Sequence, residues 1–373
     1  MGVYERLGLR PIINARGMNT MASGSLMPPP VLEAMAEAAT AFVDMAELNA
    51  RAGERIARLV GVEAAHVTSG SAGGLLLAAA ACIAGTNPDR IRRLPDTEGM
   101  RDEIVIQACQ RIQYDQALRA GGARLVAVGD ADACMPEQVE AAIGDRTAAL
   151  IFIVSPRLGE AGVSVERMAA SAHAHGLPLI VDAASTLPPT GHLTRWTDRG
   201  ADLVIYSGGK GIRGPQGSGL LVGRADLIRA AAANGAPNAS IGRPCKVSKE
   251  DIIGLVTALE LFVEDDHRRE WDRHFGEARE IAAAVDGVPG ARVRIEDDDS
   301  VWTSPTVLVS LDEAKPDLTP TTLMNALRVG EPPIMTRVFQ GDLLLDPHCL
   351  RGDEALVVAR RLREELARVP VAP

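Results

Sequence analysis

Apolar and polar residues along the chain follow two periods. From Gly53 onward, short runs rich in β-branched residues recur as "EIVIQ", "ARLVAV", "TAALIFIV", "LPLIVD", "ADLVIYS" and "SGLLVG". Runs of this length bounded by turn residues predict buried strands. Between the first four lie segments such as "MPEQVEAAIGDR" and "SVERMAASAHAHG", whose apolar residues keep helical spacing and which close on a turn or a glycine. Strand and helix in alternation predict an α/β architecture, a mostly parallel sheet with helices on both faces. "ADLVIYS" and "SGLLVG" are joined by a glycine loop with no helix, so the second predicts an antiparallel neighbour of the first. The longest apolar run, "LLLAAAACIA" from Leu75 to Ala84, is half of a bilayer crossing and predicts a buried helix.

After about Pro244 the pattern changes. A single long charged helix is predicted over "SKEDIIGLVTALELFVEDDHRREWDRHF", followed by "ARVRIE", "PTVLVSL", "LTPTTLMNALRV", "PIMTRVF", "DLLLD" and "DEALVVARRLREEL", the texture of a smaller α+β domain. The expected organisation is an N-terminal arm and helix over 1–50, a large ligand-binding domain over 51–245, and a linker helix with a small C-terminal domain over 246–373.

Composition narrows the partners. The 373 residues are 46% apolar, enough for a sizeable core, but only 3% aromatic, so few rings remain to stack on bases. A net charge of −10 opposes a general affinity for nucleic acid or anionic membrane, which leaves small molecules as the expected partners. The opening "MGVYERLGLRPIINARG" lacks the order of a signal peptide. Cys82, Cys109, Cys134, Cys245 and Cys349 are scattered without a close pair, as expected of reduced thiols in a cytoplasmic protein. His173 and His175 stand two apart on a predicted helix and so point to different faces; no metal site is expected.

Three segments carry chemistry. In "HVTSGSAGGLLLAAAA" a strand gives way to Ser69, Gly70, Ser71 and Ala72 and then to a helix, placing exposed N–H groups and hydroxyls where an anion such as phosphate fits. Neither a Walker pattern nor G-x-G-x-x-G is present, so the nucleotide readings lose ground. In "LPLIVDAAS" a buried strand ends at Asp182, positioned to meet a cationic nitrogen, with Ala183 and Ala184 leaving room for something flat. In "YSGGKGIRGPQGSG" Lys210 follows another strand among glycines, three residues after Ser207. A lysine in a dry crevice loses pKa and becomes a nucleophilic amine. Taken alone, a lysine reads as a solvated surface cation and an aspartate as a turn former. Anion cradle, carboxylate and amine in this order, each following a strand, are explained together by one cofactor, pyridoxal 5′-phosphate (PLP).

With "NARGMNTMASGSLMPP", "ARAGERIARLVGVEAAHVTSGSAGG" and "LPDTEGM" added to these motifs, the sequence resembles the selenocysteine-synthase-like branch of fold-type I PLP-dependent enzymes, over nearly its whole length. Within that branch it is similar to D-glucosaminate-6-phosphate ammonia-lyases and to L-seryl-tRNA(Sec) selenium transferase-like proteins. The resemblance implies a large domain with a seven-stranded mixed sheet, a small C-terminal domain, and active sites shared across a homodimer. It implies Lys210 as the Schiff-base lysine, Asp182 as partner of the ring nitrogen, and Ser69, Gly70, Ser71 and Ser207 as holders of phosphate. Asn14, Arg16 and Ser25 are similar to residues at the substrate mouth. Arg337 looks like a clamp for a substrate carboxylate, and Arg157 in "VSPRLGEAG" competes for that task. Relatives commonly carry a histidine over the ring in the tract that reads "CQRIQYDQA" here, which offers Gln110 or Tyr114 instead.

The expected reaction is that of a lyase acting at Cα and Cβ of a polar amino acid or amino-sugar acid, eliminating a leaving group and releasing ammonia. Racemisation and aldol cleavage use the same carbanion. Selenium transfer to seryl-tRNA ranks lower because the surface is acidic. A regulator that binds PLP without turnover stays open through the Gln110 departure.

Overall fold

Period-two alternation sorts the strands' side chains onto two faces, and a separate layer of helices covers each. The computed structural model describes residues 2–154, 162–300, 302–312 and 318–368. They form two units, one of residues 26–265 and one of the described residues on either side of it.

The larger unit is built on seven strands: β1 Ala64–Thr68, β2 Glu103–Gln107, β3 Arg124–Val128, β4 Thr147–Ile153, β5 Leu179–Asp182, β6 Leu203–Ser207 and β7 Gly219–Gly223. They lie in the order β1-β7-β6-β5-β4-β2-β3. All pairings from β6 through β3 are parallel, and β7 is antiparallel to both β6 and β1, as the helix-free glycine loop predicted. This seven-stranded, mixed and mostly parallel sheet is the one the resemblance implies.

On one face Val105, Leu150, Val181, Val204 and Leu220 meet helix Met45–Val60 (Ile56, Val60), helix Val165–Ala174 (Met168, Ala172) and helix Lys249–Glu264 (Ile252, Leu255, Leu259). On the other, Ile104, Ile106, Ile151, Ile180 and Ile205 meet helix Gly70–Ala84 and helix Ala225–Asn234. Gly70–Ala84 contains the predicted buried run: Ala78, Ala79 and Ala80 are wholly inside, and a β-carbon on Gly74 would lie 2.9 Å from Ile205 Cγ2. Small side chains thus let a helix that is apolar on all sides lie close against the sheet.

In the second unit, β8 Ala291–Glu296, β9 Thr306–Leu311, β10 Arg337–Phe339 and β11 Asp342–Leu345 form an antiparallel sheet in the order β10-β11-β9-β8. Helices His267–Ala283, Pro320–Val329 and Glu354–Arg368 bury Ile281, Leu327 and Leu362 in its core. The arm joins this unit through Ile13–Asn14, which pairs in parallel with Ile334–Met335.

One expectation is corrected. The single long helix from Ser248 is two helices, Lys249–Glu264 and His267–Ala283. Asp265 is extended, and the Asp266 carboxylate accepts a hydrogen bond from the Arg269 N–H at 3.1 Å, capping the second helix. Three consecutive acids at 264–266 oppose the partial negative charge at a helix C-terminus, whereas an aspartate is favoured at the N-cap. Among the described residues, no helix is long and apolar enough to cross a membrane.

His66 on β1 is buried inside the larger unit, and loss of hydration pushes its imidazole down from 6.5 to about 4. Below pH 6.5 the unfolded chain gains a proton that the folded chain refuses until about pH 4, so stability present above 6.5 is lost through that window. Between pH 7.5 and 4.5, denaturant titrations of wild type and His66→Leu are expected to shift in the variant's favour by about 2 to 3 kcal/mol. A gap that does not change with pH would contradict a neutral buried ring.

Candidate active site

Cross-strand register gathers the predicted residues of the larger unit at one edge of the sheet. Thr68, Gly219 and Ser207 form one row across β1, β7 and β6. Asp182, the last residue of β5, stands opposite Ile205 of β6 and Ile153 of β4. The turn after β1, the Asp182 carboxylate, Ser207 and the loop bearing Lys210 therefore share the carboxyl ends of the parallel strands, where open α/β sheets bind ligands.

Two close approaches shape the anion cradle. Gly70 has φ +65°, a left-handed conformation that favours glycine, and its carbonyl accepts from Thr68 Oγ1 at 2.8 Å. A β-carbon on Gly219 would lie 2.6 Å from the Gly70 carbonyl carbon, so only glycine lets the turn settle on β7 beside Ser207. Ser69, Gly70, Ser71 and Ser207 are half-buried and Ala72 is exposed. Helix Gly70–Ala84 begins here, and its first N–H groups point outward from the helix start.

The lysine loop is closed by its own backbone. Gly208 N–H donates to Ser218 O at 2.9 Å, Arg213 N–H to Lys210 O at 2.9 Å, and Gly214 N–H to Gly208 O at 2.8 Å. A β-carbon on Gly209 would meet Gln216 Cα at 2.5 Å, and one on Gly211 would meet the Leu187 carbonyl oxygen at 2.3 Å. The loop is thereby pressed onto the segment that follows β5, and Lys210 Nζ donates to Ser185 Oγ at 2.5 Å.

Burial pushes the Asp182 carboxyl above the usual carboxylate range; the Ala184 N–H, donating to Oδ1 at 3.1 Å, and the Lys210 charge pull it partly back. Burial lowers the Lys210 amine, with Asp182 opposing the shift. An amine shifted this way is uncharged more of the time at neutral pH and is a better nucleophile and base.

Side-chain amides tie down the neighbouring strand ends. Gln107, buried at the end of β2, grips Val163 by donating Nε2–H to its carbonyl at 3.0 Å and accepting its N–H at 2.6 Å. Gln110, 2% exposed, accepts the Ile153 N–H on Oε1 at 2.9 Å, whereas Tyr114 is 66% exposed. Arg157 lies outside the described residues. His173 Nε2 meets Asp202 at 2.9 Å and His175 Nε2 meets Glu140 at 3.1 Å, so the two rings serve different carboxylates.

Asn14, Arg16, Ser25 and Arg337 belong to the second unit and are gathered within it. Asn14 Nδ2 donates to the carbonyls of Gly17, Ala22 and Gly24 at 3.2 to 3.4 Å, which folds the arm back beside Ser25. Arg16 Nη1 donates to Thr336 O at 3.1 Å, next to Arg337, whose guanidinium lies over the Phe339 ring. Gly17, with φ +77°, leaves the space that Asp346 Oδ2 fills. Sequence reading missed Ser185 and Gln107. Ser185 stood in the "DAAS" motif three residues after Asp182, and Gln107 is the polar end of an otherwise apolar strand.

Residues 21–236 match the family described as Aminotransferase class-V. The chain belongs to that family. Enzymes of that family use PLP. One similar protein is a 5'-C-glycyluridine monooxygenase-decarboxylase of Streptomyces sp, 36% identical over 97% of this chain and 92% of its own length. Another is a D-glucosaminate-6-phosphate ammonia lyase of Salmonella typhimurium (strain 14028s / SGSC 2262), 34% identical over 97% of both. A solved structure of D-glucosaminate-6-phosphate ammonia-lyase superposes with a TM-score of 0.83 at 32% identity, covering 99% of each chain.

The class-V lysine loop depends on Gly211. Gly211→Ala forces backbone apart at Leu187, a change expected to cost about 1 to 3 kcal/mol. It should lower the melting temperature and slow the uptake of PLP by the protein, measured by absorbance. Unchanged melting and uptake would mean that this contact does not place the loop.

Proposed function

We propose that the protein is a PLP-dependent lyase that removes ammonia, with elimination from the adjacent carbon, from a polar amino acid or amino-sugar acid. The supporting observation is the convergence of a buried carboxylate, a lysine of lowered pKa and a hydroxyl-lined helix start at one sheet edge. These groups fit PLP. Ser69, Gly70, Ser71, Ala72 and Ser207 supply donors for its phosphate, and Asp182 an acceptor for its ring nitrogen. Ala184 leaves a flat face, Gln110 lies at the end of a neighbouring strand, and Lys210 is the amine for its aldehyde carbon. When bound, PLP supplies an electron sink for charge developed at the substrate's Cα.

The chain's own residues then have distinct tasks. Asp182, drawn toward its ionised form by a cationic neighbour, holds that neighbour protonated. Lys210, whose amine burial shifts toward its neutral form, would be the base that takes the proton from the substrate's Cα and returns it. Arg16 and Arg337, gathered in the second unit, are the proposed holders of a substrate acid group, with Asn14 setting the arm's shape beside Ser25. We place the protein in the cytoplasm as a homodimer; Leu32, Phe42 and Val43 of the larger unit are exposed, which supports an apolar contact with a second copy.

The relative that is a monooxygenase-decarboxylase favours a second reading, oxidative decarboxylation of an amino acid. Holoenzyme incubated with D- and L-hydroxyamino acids and amino-sugar acids, with and without phosphate, separates the two. Ammonia and a keto acid formed under nitrogen support the lyase. Oxygen uptake with release of carbon dioxide supports the second reading, and no turnover under either atmosphere overturns both.

Lys210→Ala is expected to lose covalent PLP, read by intact mass after borohydride reduction, and to lower turnover by about 10³-fold or more. Its melting temperature should be nearly unchanged, because a functional lysine adds little to packing. Asp182→Asn should keep PLP yet slow exchange of the substrate's Cα proton with deuterated solvent about 100-fold. Full activity in either variant would remove the assigned role.

A further inference from the structure

We propose that Ser185 is the positioning residue for Lys210: its hydroxyl holds the ε-amine whenever that amine is not covalently engaged, and so aims it along the edge where it works as a base. The inference rests on the reading of Lys210 given above and adds a residue to it.

The contact is placed by backbone. Asp182 and Ile205 are paired across β5 and β6, and Ser185 and Lys210 follow them by three and five residues. The Ala183 N–H donates to Ile205 O at 3.0 Å, which starts the post-β5 segment in register with β6. Thr186 then closes a turn onto Ala183, donating both its N–H, at 3.2 Å, and its Oγ1–H, at 3.0 Å, to the same carbonyl. His192 Nδ1 lies 2.7 Å from Thr186 O, and Tyr206 Oη donates to His192 O at 2.8 Å, fastening the far end of the segment back to β6. Gly211 rests on the Leu187 carbonyl. Lys210 and Ser185 are thus fixed on two facing pieces of rigid backbone.

Side-chain chemistry supports the assignment. Ser185 is exposed and plays no part in the capping bond its neighbour Thr186 makes, so its place is not explained by local folding. A lysine carries four rotatable bonds, and one hydrogen bond at the tip selects among its rotamers. A hydroxyl suits this task because it accepts from an ammonium and donates to a neutral amine, so it holds Nζ before and after proton transfer. Asp182, at the end of the adjacent strand, is a charged group that acts on Lys210.

The test compares wild type, Ser185→Ala and Ser185→Thr in two forms. In holoenzyme, Ser185→Ala should lower kcat about 10- to 100-fold with KM within about twofold, and Ser185→Thr should recover most of it. In protein stripped of PLP, acetylation at Lys210 is followed by peptide mass spectrometry across pH. Wild type and Ser185→Thr should titrate alike, and Ser185→Ala should titrate at lower pH, because its ammonium has lost an acceptor. Ser185→Ala matching wild type in both measurements overturns the proposal, as does Ser185→Thr failing as badly as Ser185→Ala. Failure of wild type to attach PLP at Lys210 sinks the functional reading instead, and the acetylation profile still decides the role of Ser185.

Discussion

The Leu187 carbonyl oxygen occupies space that a β-carbon at position 211 would need, and the chemistry of the site follows from approaches of that kind. Six glycines stand in the stretch from Tyr206 through Gly219. Each gives up more conformational freedom on folding than another residue, roughly 0.5 to 1 kcal/mol in a regular element. What offsets that cost is backbone lying against backbone: Gly209 on Gln216, Gly211 on Leu187, Gly219 on Gly70. Side chains at any of these places would prop the loops apart and leave Lys210, Ser207 and the turn after β1 without a common edge. Rigid strands beneath fix the register, and the glycines let the loops above inherit it.

Electrostatics adds a second condition. Asp182 is buried and Lys210 half-buried, and burial moves each toward its neutral form. Such a pair is a poor device for stability, since desolvation offsets much of the attraction. On the proposed reading it becomes useful when a ligand completes it: a cationic ring nitrogen would give the carboxylate a partner and a carbonyl carbon would suit the amine. The site is therefore less satisfied alone than with a flat cationic aldehyde in place, which is a physical reason for the affinity expected of it.

Much of this was legible in the chain. The strands from Glu103 to Gly223, their mostly parallel pairing and the antiparallel turn-back at Gly219 follow from apolar periodicity and from the presence or absence of a helix between runs. Lys210, Asp182 and the Ser69 turn were readable because each follows a strand, and strand ends in such sheets share an edge. The break at Asp265–Asp266 was not readable from periodicity, since the apolar stripe resumes beyond it; only the run of three acids marks the end of one helix and the cap of the next. Asn14 was assigned by likeness to the substrate mouth, yet its hydrogen bonds to three carbonyls of the arm appear only once the arm's path is known. Ser185 escaped for the same reason: a hydroxyl among small residues carries no pattern until the opposing loop brings an amine to it.

The amides at 107 and 110 bear on what the site can do. Each satisfies backbone groups, Gln107 on Val163 ahead of helix Val165–Ala174 and Gln110 on Ile153 at the end of β4, without adding a group that titrates near neutrality. A histidine at 110 would cap the same N–H only with its unprotonated nitrogen and would carry its own proton equilibrium into the edge. On the proposed reading, with glutamine there, proton movement at the substrate would fall to Lys210, and the lysine's orientation would matter more than beside a second acid–base group. On the proposed reading, a neighbouring hydroxyl and an uncharged amide are two parts of one arrangement, in which an amine of lowered pKa is kept aimed beside the Asp182 carboxylate.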